Sequence, residues 1–158
     1  MKKRMILLSI VIAMSMALTG CGSKSPLDPK NPVTIEVWNY YNGDQLTAFD
    51  NLVEEFNETI GKEKGIIVKG SSQGSVNDLE TNVLAALKGE VGAAEVPNIF
   101  MAYADTAYTA DQMGGIVDLK KYLTEAEIGV YIDSYMDEGD FSGNGEIKIF
   151  PMAKSTEV

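Results

Sequence analysis

The 158-residue sequence has no histidine, one cysteine, one tryptophan and few basic residues, 13 Lys and Arg against 23 Asp and Glu. Each shortage excludes something. Without histidine there is no Ser-His-Asp or Cys-His triad, no imidazole zinc ligand and no histidine general base. A lone cysteine has no internal disulfide partner. A net charge of −10 with no basic patch removes nucleic acid as a partner, because affinity for a phosphate backbone comes from clustered Lys and Arg. Nothing in the composition asks for a cofactor. The length suits one domain-sized unit or part of a larger protein.

What is present begins with Lys2, Lys3 and Arg4, followed by an apolar run from Met5 to Leu18 broken only by Ser9 and Ser15. A membrane-spanning helix needs about 20 apolar residues, and this run stops short at Gly20-Cys21. The pattern is that of a secretory leader, set apart from fold reasoning. Its end, Leu18-Thr19-Gly20-Cys21, resembles the bacterial lipobox, in which the cysteine receives a diacylglyceryl group and becomes the new N-terminus. Two acyl chains suffice for stable anchoring where one does not. Cys21 is thus the expected lipid attachment point, and loss of residues 1–20 makes the mature charge −13. The stretch that follows, with Ser23, Ser25, Pro26, Pro29 and Pro32, has no apolar periodicity and reads as a flexible tether.

Beyond the tether, Val33, Ile35 and Val37 alternate with polar residues before Trp38, the period of a strand. Leu46, Phe49, Leu52, Val53, Phe56 and Ile60 then predict one face of a helix with Asp44 at its N-cap, ended by the Gly61 to Gly65 cluster. Ile66 to Val68 predicts a second strand and Gly70 to Ser75 a loop. Asn77 and Glu80 suggest a capping box for a helix carrying Leu79, Val83 and Leu87. Ile99 to Tyr103 predicts a third strand, and a short helix through Met113 stops at Gly114-Gly115. Strands alternating with helices predict an α/β fold with a largely parallel sheet. Ligands in such sheets gather beyond the carboxyl ends of the strands, here the loops Asn39 to Asp44, Ser71 to Ser75 and Ala104 to Thr106.

From Tyr122 to Gly145 the sequence has six acidic residues and no Lys or Arg, consistent with a solvated helix and turn. Asp140, Ser142, Asn144 and Gly145 match the first half of a calcium loop. Pro151 stands where the bidentate Glu belongs, so no calcium site, and no other metal site, is expected. Ile147 and Ile149 alternate about Lys148 and predict a further strand after the Gly143-Asn144-Gly145 turn.

The lipobox, the Ile35-Glu36-Val37-Trp38-Asn39-Tyr40-Tyr41 strand and turn, the Pro97-Asn98-Ile99-Phe100 strand and the closing Pro151-Met152-Ala153-Lys154-Ser155-Thr156-Glu157 segment together resemble bacterial extracellular solute-binding proteins of family 1. These are the sugar-type capture components of ABC importers. The resemblance implies a periplasmic-binding-protein-like fold of two α/β lobes joined by hinge strands, and a binding role without catalysis. On that pattern, residues 1–20 are the lipoprotein signal peptide, 21–32 the tether, 33–150 most of the first lobe and 151–158 the start of the crossover toward a second lobe. It also implies an ABC permease as partner, a membrane anchor through Cys21, and an extracytoplasmic location.

Sugars present CH faces and hydroxyl edges, so a site for them needs aromatic platforms and polar partners. Alternation sends Trp38 and Tyr40 to one face of the sheet and Tyr41 to the other, so the three do not all line one cleft; Trp38 is as readily core. The candidate ligand-binding residues are Tyr40, Tyr41, Asp44, Ser72, Gln73, Asp105, Lys154 and Ser155. Asp44 has helix capping as its leading alternative, Asp105, directly after the third strand, has the best positional case for a ligand although it too can cap a helix, and Ser72 and Gln73 can be loop closures. Two other functions fit some of these residues. A phosphoester ligand such as a glycerol phosphate would sit on the Ser71 to Ser75 loop at a helix N-terminus, which has no P-loop Lys. A lipid-anchored glycoside hydrolase would use a pair of carboxylates.

Overall fold

A computed structural model describes residues 26–153 of the protein. Three strands, β1 (Val33–Asn39), β2 (Ile66–Ser72) and β3 (Ile99–Phe100), form a wholly parallel sheet in the order β2-β1-β3. The β1 strand pairs with β2 along its full length, from Val33 against Ile66 to Asn39 against Ser72, and with β3 at Val37 against Ile99 and Trp38 against Phe100. Its central place follows from composition: Val37, Trp38 and Asn39 are all buried, as a strand covered on both faces requires.

Helices cover the two faces. On one, Trp38 (3% exposed) meets Leu79, Val83 and Ala86 of α3 (Val76–Lys88), with Tyr40, Leu87, Phe100 and Met101 around them. The indole N–H is satisfied by Glu36 Oε1 at 2.9 Å, two residues back on the same strand face. On the other, α1 (Gly43–Phe56) lies over β2, its Phe49 so close to Gly70 that a Cβ there would stand 2.8 Å from the ring. After Phe56 the backbone makes a π-helical turn (Asn57–Gly61), a last three helical residues as α2 (Lys62–Lys64), and stops at Gly65 with φ of 76°. The apolar face predicted for this helix holds at Leu46, Phe49, Val53 and Phe56, which are half-buried, but Leu52 and Ile60 are 64% and 55% exposed. Leu52 falls at the margin of the stripe, and the wider π turn rotates Ile60 off the face that a 3.6-residue period assigns it. The same turn presents Asn57 to the outer edge of β2, where its carboxamide accepts from Val68 N–H at 2.7 Å and donates to Val68 C=O at 2.8 Å.

The remaining expectations divide. The β2 strand continues through Ser72 rather than ending at Val68. The second helix is capped by Ser75, whose Oγ accepts from Asp78 N–H at 3.1 Å and donates to Asp78 Oδ2 at 2.6 Å. Asn77 and Glu80 do not cap it, because the backbone has already turned helical at Val76. Asp44 is likewise no cap: Asn42 holds that position and its amide is drawn away to backbone carbonyls, leaving Asp44 in the first turn. The third strand is only two residues long, with Met101 N–H still reaching Trp38 C=O, before the backbone leaves the sheet for α4 (Ala104–Gln112). Tyr103 rather than Asp105 stands at the N-cap of α4.

Past α4 come a 3-10 turn (Leu119–Lys121), α5 (Glu125–Ile128), α6 (Asp133–Met136) and a second 3-10 turn (Asp137–Gly139). The α5 helix is started by a Thr124–Glu127 capping box. The strand predicted at Ile147 to Ile149 does not form, the segment being irregular with a bend at Ile149. Ile147 exchanges hydrogen bonds with Asp118 Oδ1 and Leu119 N–H, Lys148 N–H bonds Gly139 C=O, and Lys148 Nζ pairs with Asp111 of α4 at 3.0 Å. Its backbone groups are spent on loops, so no strand forms. The half-matching calcium loop is organised by Asp140, whose carboxylate accepts from the N–H groups of Asn144, Gly145 and Glu146.

This packing is open to two measurements. A methyl at Gly61 would stand 2.5 Å from Ile66 C=O, so Gly61→Ala should destabilise the fold by about 1–3 kcal/mol in urea unfolding, as overpacking does. Backbone N–H groups, that of Gly145 first for Asp140 and that of Ile147 first for Asp118, hold both carboxyls below the ordinary value of 3.8. Their stabilisation is therefore present above that value and is lost as pH falls through the lower folded values. Thermal midpoints followed from neutral to acid pH should fall in that range, and less steeply for Asp140→Asn.

Candidate functional site

Because all three strands run the same way, their carboxyl ends emerge together, and the register places Asn39 beside Ser72 and Trp38 beside Phe100. Three loops therefore start from one edge of the sheet: Tyr40 to Asn42 after β1, Gln73 and Gly74 after β2, and Met101 to Tyr103 after β3.

The first two loops are bolted together. Gln73 N–H bonds Asn39 C=O at 2.8 Å, Ser72 Oγ donates to Tyr41 C=O at 2.7 Å, and Asn42 Nδ2 donates to the carbonyls of Tyr40 and Gly74. Gln73 is engaged at both ends of its amide, donating to Ser71 Oγ at 3.1 Å and accepting from Asn82 Nδ2 at 2.8 Å. Ser72 and Gln73 thus act here as loop closures, and what they offer the site is a fixed backbone.

Over that base lie the tyrosines. Tyr40 and Tyr41 are half-buried with ring centres 5.4 Å apart, and Tyr41 continues to Phe49 of α1 at 5.7 Å. Strand alternation sends them as predicted: Tyr40 packs against the Trp38 cluster and Tyr41 against the α1 side. Burial first, then the neighbouring phenols of Tyr103 and Tyr41, push the Tyr40 hydroxyl above its ordinary value. Tyr103 is 61% exposed. Between it and Tyr40 is a small crevice whose walls include Leu79, Glu80, Met101 and Thr106. The aromatic surface at this edge is therefore Tyr40, Tyr41 and Tyr103, while Trp38 is core.

The two carboxylates flank it. Asp44 is exposed in the first turn of α1, two residues after Asn42. Asp105 is exposed in the first turn of α4, two residues after Tyr103, with Oδ1 accepting from Thr106 N–H at 2.8 Å. Cys21, Lys154 and Ser155, with the leader, lie outside the described residues. Tyr103 was legible as the residue leaving β3, just as Tyr40 leaves β1, but the run Ile99 to Tyr103 hides it inside a predicted strand. Asn39 and Asn42 gave no signal beyond their place after a strand. Among the described residues no group of three or more acidic, Cys or His side chains is arranged to hold a metal ion, and no helix is long and apolar enough to cross a membrane.

No family model and no curated protein matches the sequence. Solved structures do match the fold. The chain is similar to the cyclic alpha-maltosyl-1,6-maltose binding protein from Arthrobacter globiformis, at 20% identity and a TM-score of 0.60 over 72% of its own length and 27% of that protein's. It is similar to the maltose/maltodextrin-binding domain from Bdellovibrio bacteriovorus bound to maltotriose, at 16% identity and a TM-score of 0.56 over 72% and 27%. A family 1 extracellular solute-binding protein from Bifidobacterium longum subsp. infantis follows at 14% identity and a TM-score of 0.51 over 75% and 27%. The chain thus spans about a quarter of the length of these structures. Its parallel sheet, covered by helices on both faces, has the α/β fold of periplasmic-binding-protein-like solute-binding proteins, in the part that forms their first lobe.

Proposed function

We propose that the protein is the substrate-binding component of an ABC importer, capturing a carbohydrate outside the cytoplasmic membrane, without catalysis, and delivering it to a permease. The observation that carries this reading is the convergence of Tyr40, Tyr41 and Tyr103 with two flanking carboxylates at the carboxyl edge of a parallel sheet. Tyrosine rings match the CH faces of a pyranose, and a carboxylate accepts from neighbouring hydroxyls through charge-assisted bonds about twice as strong as neutral ones. Three of the solved structures with this fold are described as binding maltose derivatives, maltotriose or mannotriose.

In this reading Tyr40 and Tyr41 supply stacking surface, Asp44 and Asp105 accept hydroxyls, and Ser72 and Gln73 hold the loop that shapes the floor. Lys154 and Ser155 contribute from the segment that runs past the cleft toward a second lobe. Residues 1–20 are removed, Cys21 is lipidated, 21–32 tether the 33–150 lobe to the membrane, and 151–158 begin the crossover. Micromolar affinity amounts to about −8 kcal/mol, more than three rings on one lobe supply, so closure of a two-lobed protein around the ligand completes the site. Binding then selects the closed state because the ligand touches both lobes only there.

Calorimetry of the full-length mature protein against gluco-, manno- and xylo-oligosaccharides tests the reading. Saturable heat with at least one is expected, and heat with none of them overturns it. Asp105→Asn should weaken that binding about tenfold, equivalent to about 1.4 kcal/mol, with the melting temperature unchanged. Cells fed labelled palmitate should incorporate it into the wild-type protein and not into Cys21→Ser. A variant still labelled would rule out Cys21 as the lipid attachment point.

A further inference from the structure

Asn39 ends the central strand with 0% of its surface exposed, at the point from which the β1 and β2 loops diverge. Its Oδ1 accepts from Tyr41 N–H at 3.0 Å and its backbone carbonyl accepts from Gln73 N–H at 2.8 Å, so one residue sets both the tyrosine turn and the neighbouring loop. Its Nδ2 has no partner at all, and is the one buried side-chain polar atom of which that is true among the described residues. Buried amide donors are almost always satisfied, because an unmade hydrogen bond forfeits the hydration of the group. The Tyr41 bond accounts for the acceptor half of the carboxamide and leaves Nδ2 as a buried donor without a protein partner. The same carboxamide grips the backbone of Tyr41, so its orientation is tied to the turn leading into α1.

We propose that Asn39 is a ligand-binding residue of the carbohydrate site and that its free amide N–H donates to a ligand oxygen in the bound state. The inference rests on the carbohydrate-binding reading above. With no exposed surface, Nδ2 meets that oxygen only as the Tyr40 to Asn42 turn shifts, so binding and movement of the tyrosine turn are a single event. The ligand gains a bond that the empty protein lacks, which is the differential interaction a population shift requires.

The test uses Asn39→Asp and Asn39→Leu in the full-length mature protein, with affinity for whichever oligosaccharide the wild type binds. A neutral carboxylic acid copies the asparagine pattern, one acceptor for Tyr41 N–H and one donor, whereas the ionised form has no donor. Burial raises a carboxyl pKa, so Asn39→Asp should approach wild-type affinity near about pH 5 and fall about tenfold or more below it near about pH 9. Taking the ratio to wild type at each pH cancels the titration of Tyr40, Tyr41, Asp44, Glu80, Tyr103 and Asp105 around the site. Asn39→Leu should be weak at both pH values. Fluorescence of Trp38, the single tryptophan and the preceding residue, reports whether each variant is folded. Should either variant fail to fold, the Asn39 side-chain amide protons of the ¹⁵N-labelled wild type carry the test, moving downfield on saturation with the sugar. A ratio independent of pH, or amide protons that do not move while the sugar is bound, overturns the inference and leaves sugar binding standing. A wild type that binds no sugar overturns both.

Discussion

The pairing of β1 with a parallel strand on each side is the constraint on which the rest depends. Seven residues of β1 are matched one for one by β2, and two by β3. Parallel strands need crossovers, and the crossovers become α1 and α3, one on each face. Because all three strands point the same way, the residues that leave them are delivered to one edge without any of those residues contributing to the choice. Tyr40 and Tyr103 lie 63 positions apart in sequence and meet only because Trp38 and Phe100 share a register.

Within that frame the local hydrogen bonds decide what each residue is free to do. Ser72, Gln73 and Asn42 are polar residues facing a candidate site, yet their side chains are already engaged, those of Ser72 and Asn42 by loop carbonyls and that of Gln73 by Ser71 Oγ and the Asn82 carboxamide. Such closure orders the loops before a ligand arrives, so less entropy is lost when it binds. Asp44 and Asp105 keep most of their acceptor capacity, and both sit in the first turn of a helix. Three carboxylates nearer the end of the described region have a different office. Asp118 and Asp140 fold turns by collecting backbone N–H groups, and Asp111 is neutralised by Lys148.

Much of this was readable in advance where a signal is local and periodic. The strand at Val33 to Trp38, the helices on either side of β2, the breaks at Gly65 and Gly114, and the separation of Tyr40 from Tyr41 all follow from alternation, spacing or a glycine. The failures share a cause, which is that something distant took over a group with a local use. Asn42 is pulled to Gly74 and leaves α1, which begins at Gly43, without a side-chain cap; Asp118 claims Ile147 and turns a strand-like sequence into a loop. The cap at Ser75 is a different case, since Ser75-Val76-Asn77-Asp78 carries its own capping pattern and competes with Asn77 to Glu80 in the same few residues. The order of the strands and the meeting of Tyr40 with Tyr103 depend on which strands pair, and no pattern within a single strand contains that.

The Asn57 carboxamide on Val68 bears on more than the geometry of one helix. An unpaired strand edge is a template on which another polypeptide can build, and soluble proteins commonly blunt such edges with charges, bulges or covering loops. Here a carboxamide, brought in by a π turn, occupies both the donor and the acceptor of Val68, the third residue of β2. At that one residue it gives the edge the chemistry of a paired strand without adding one. The π turn, costly as helical geometry, thereby serves as a guard against self-association.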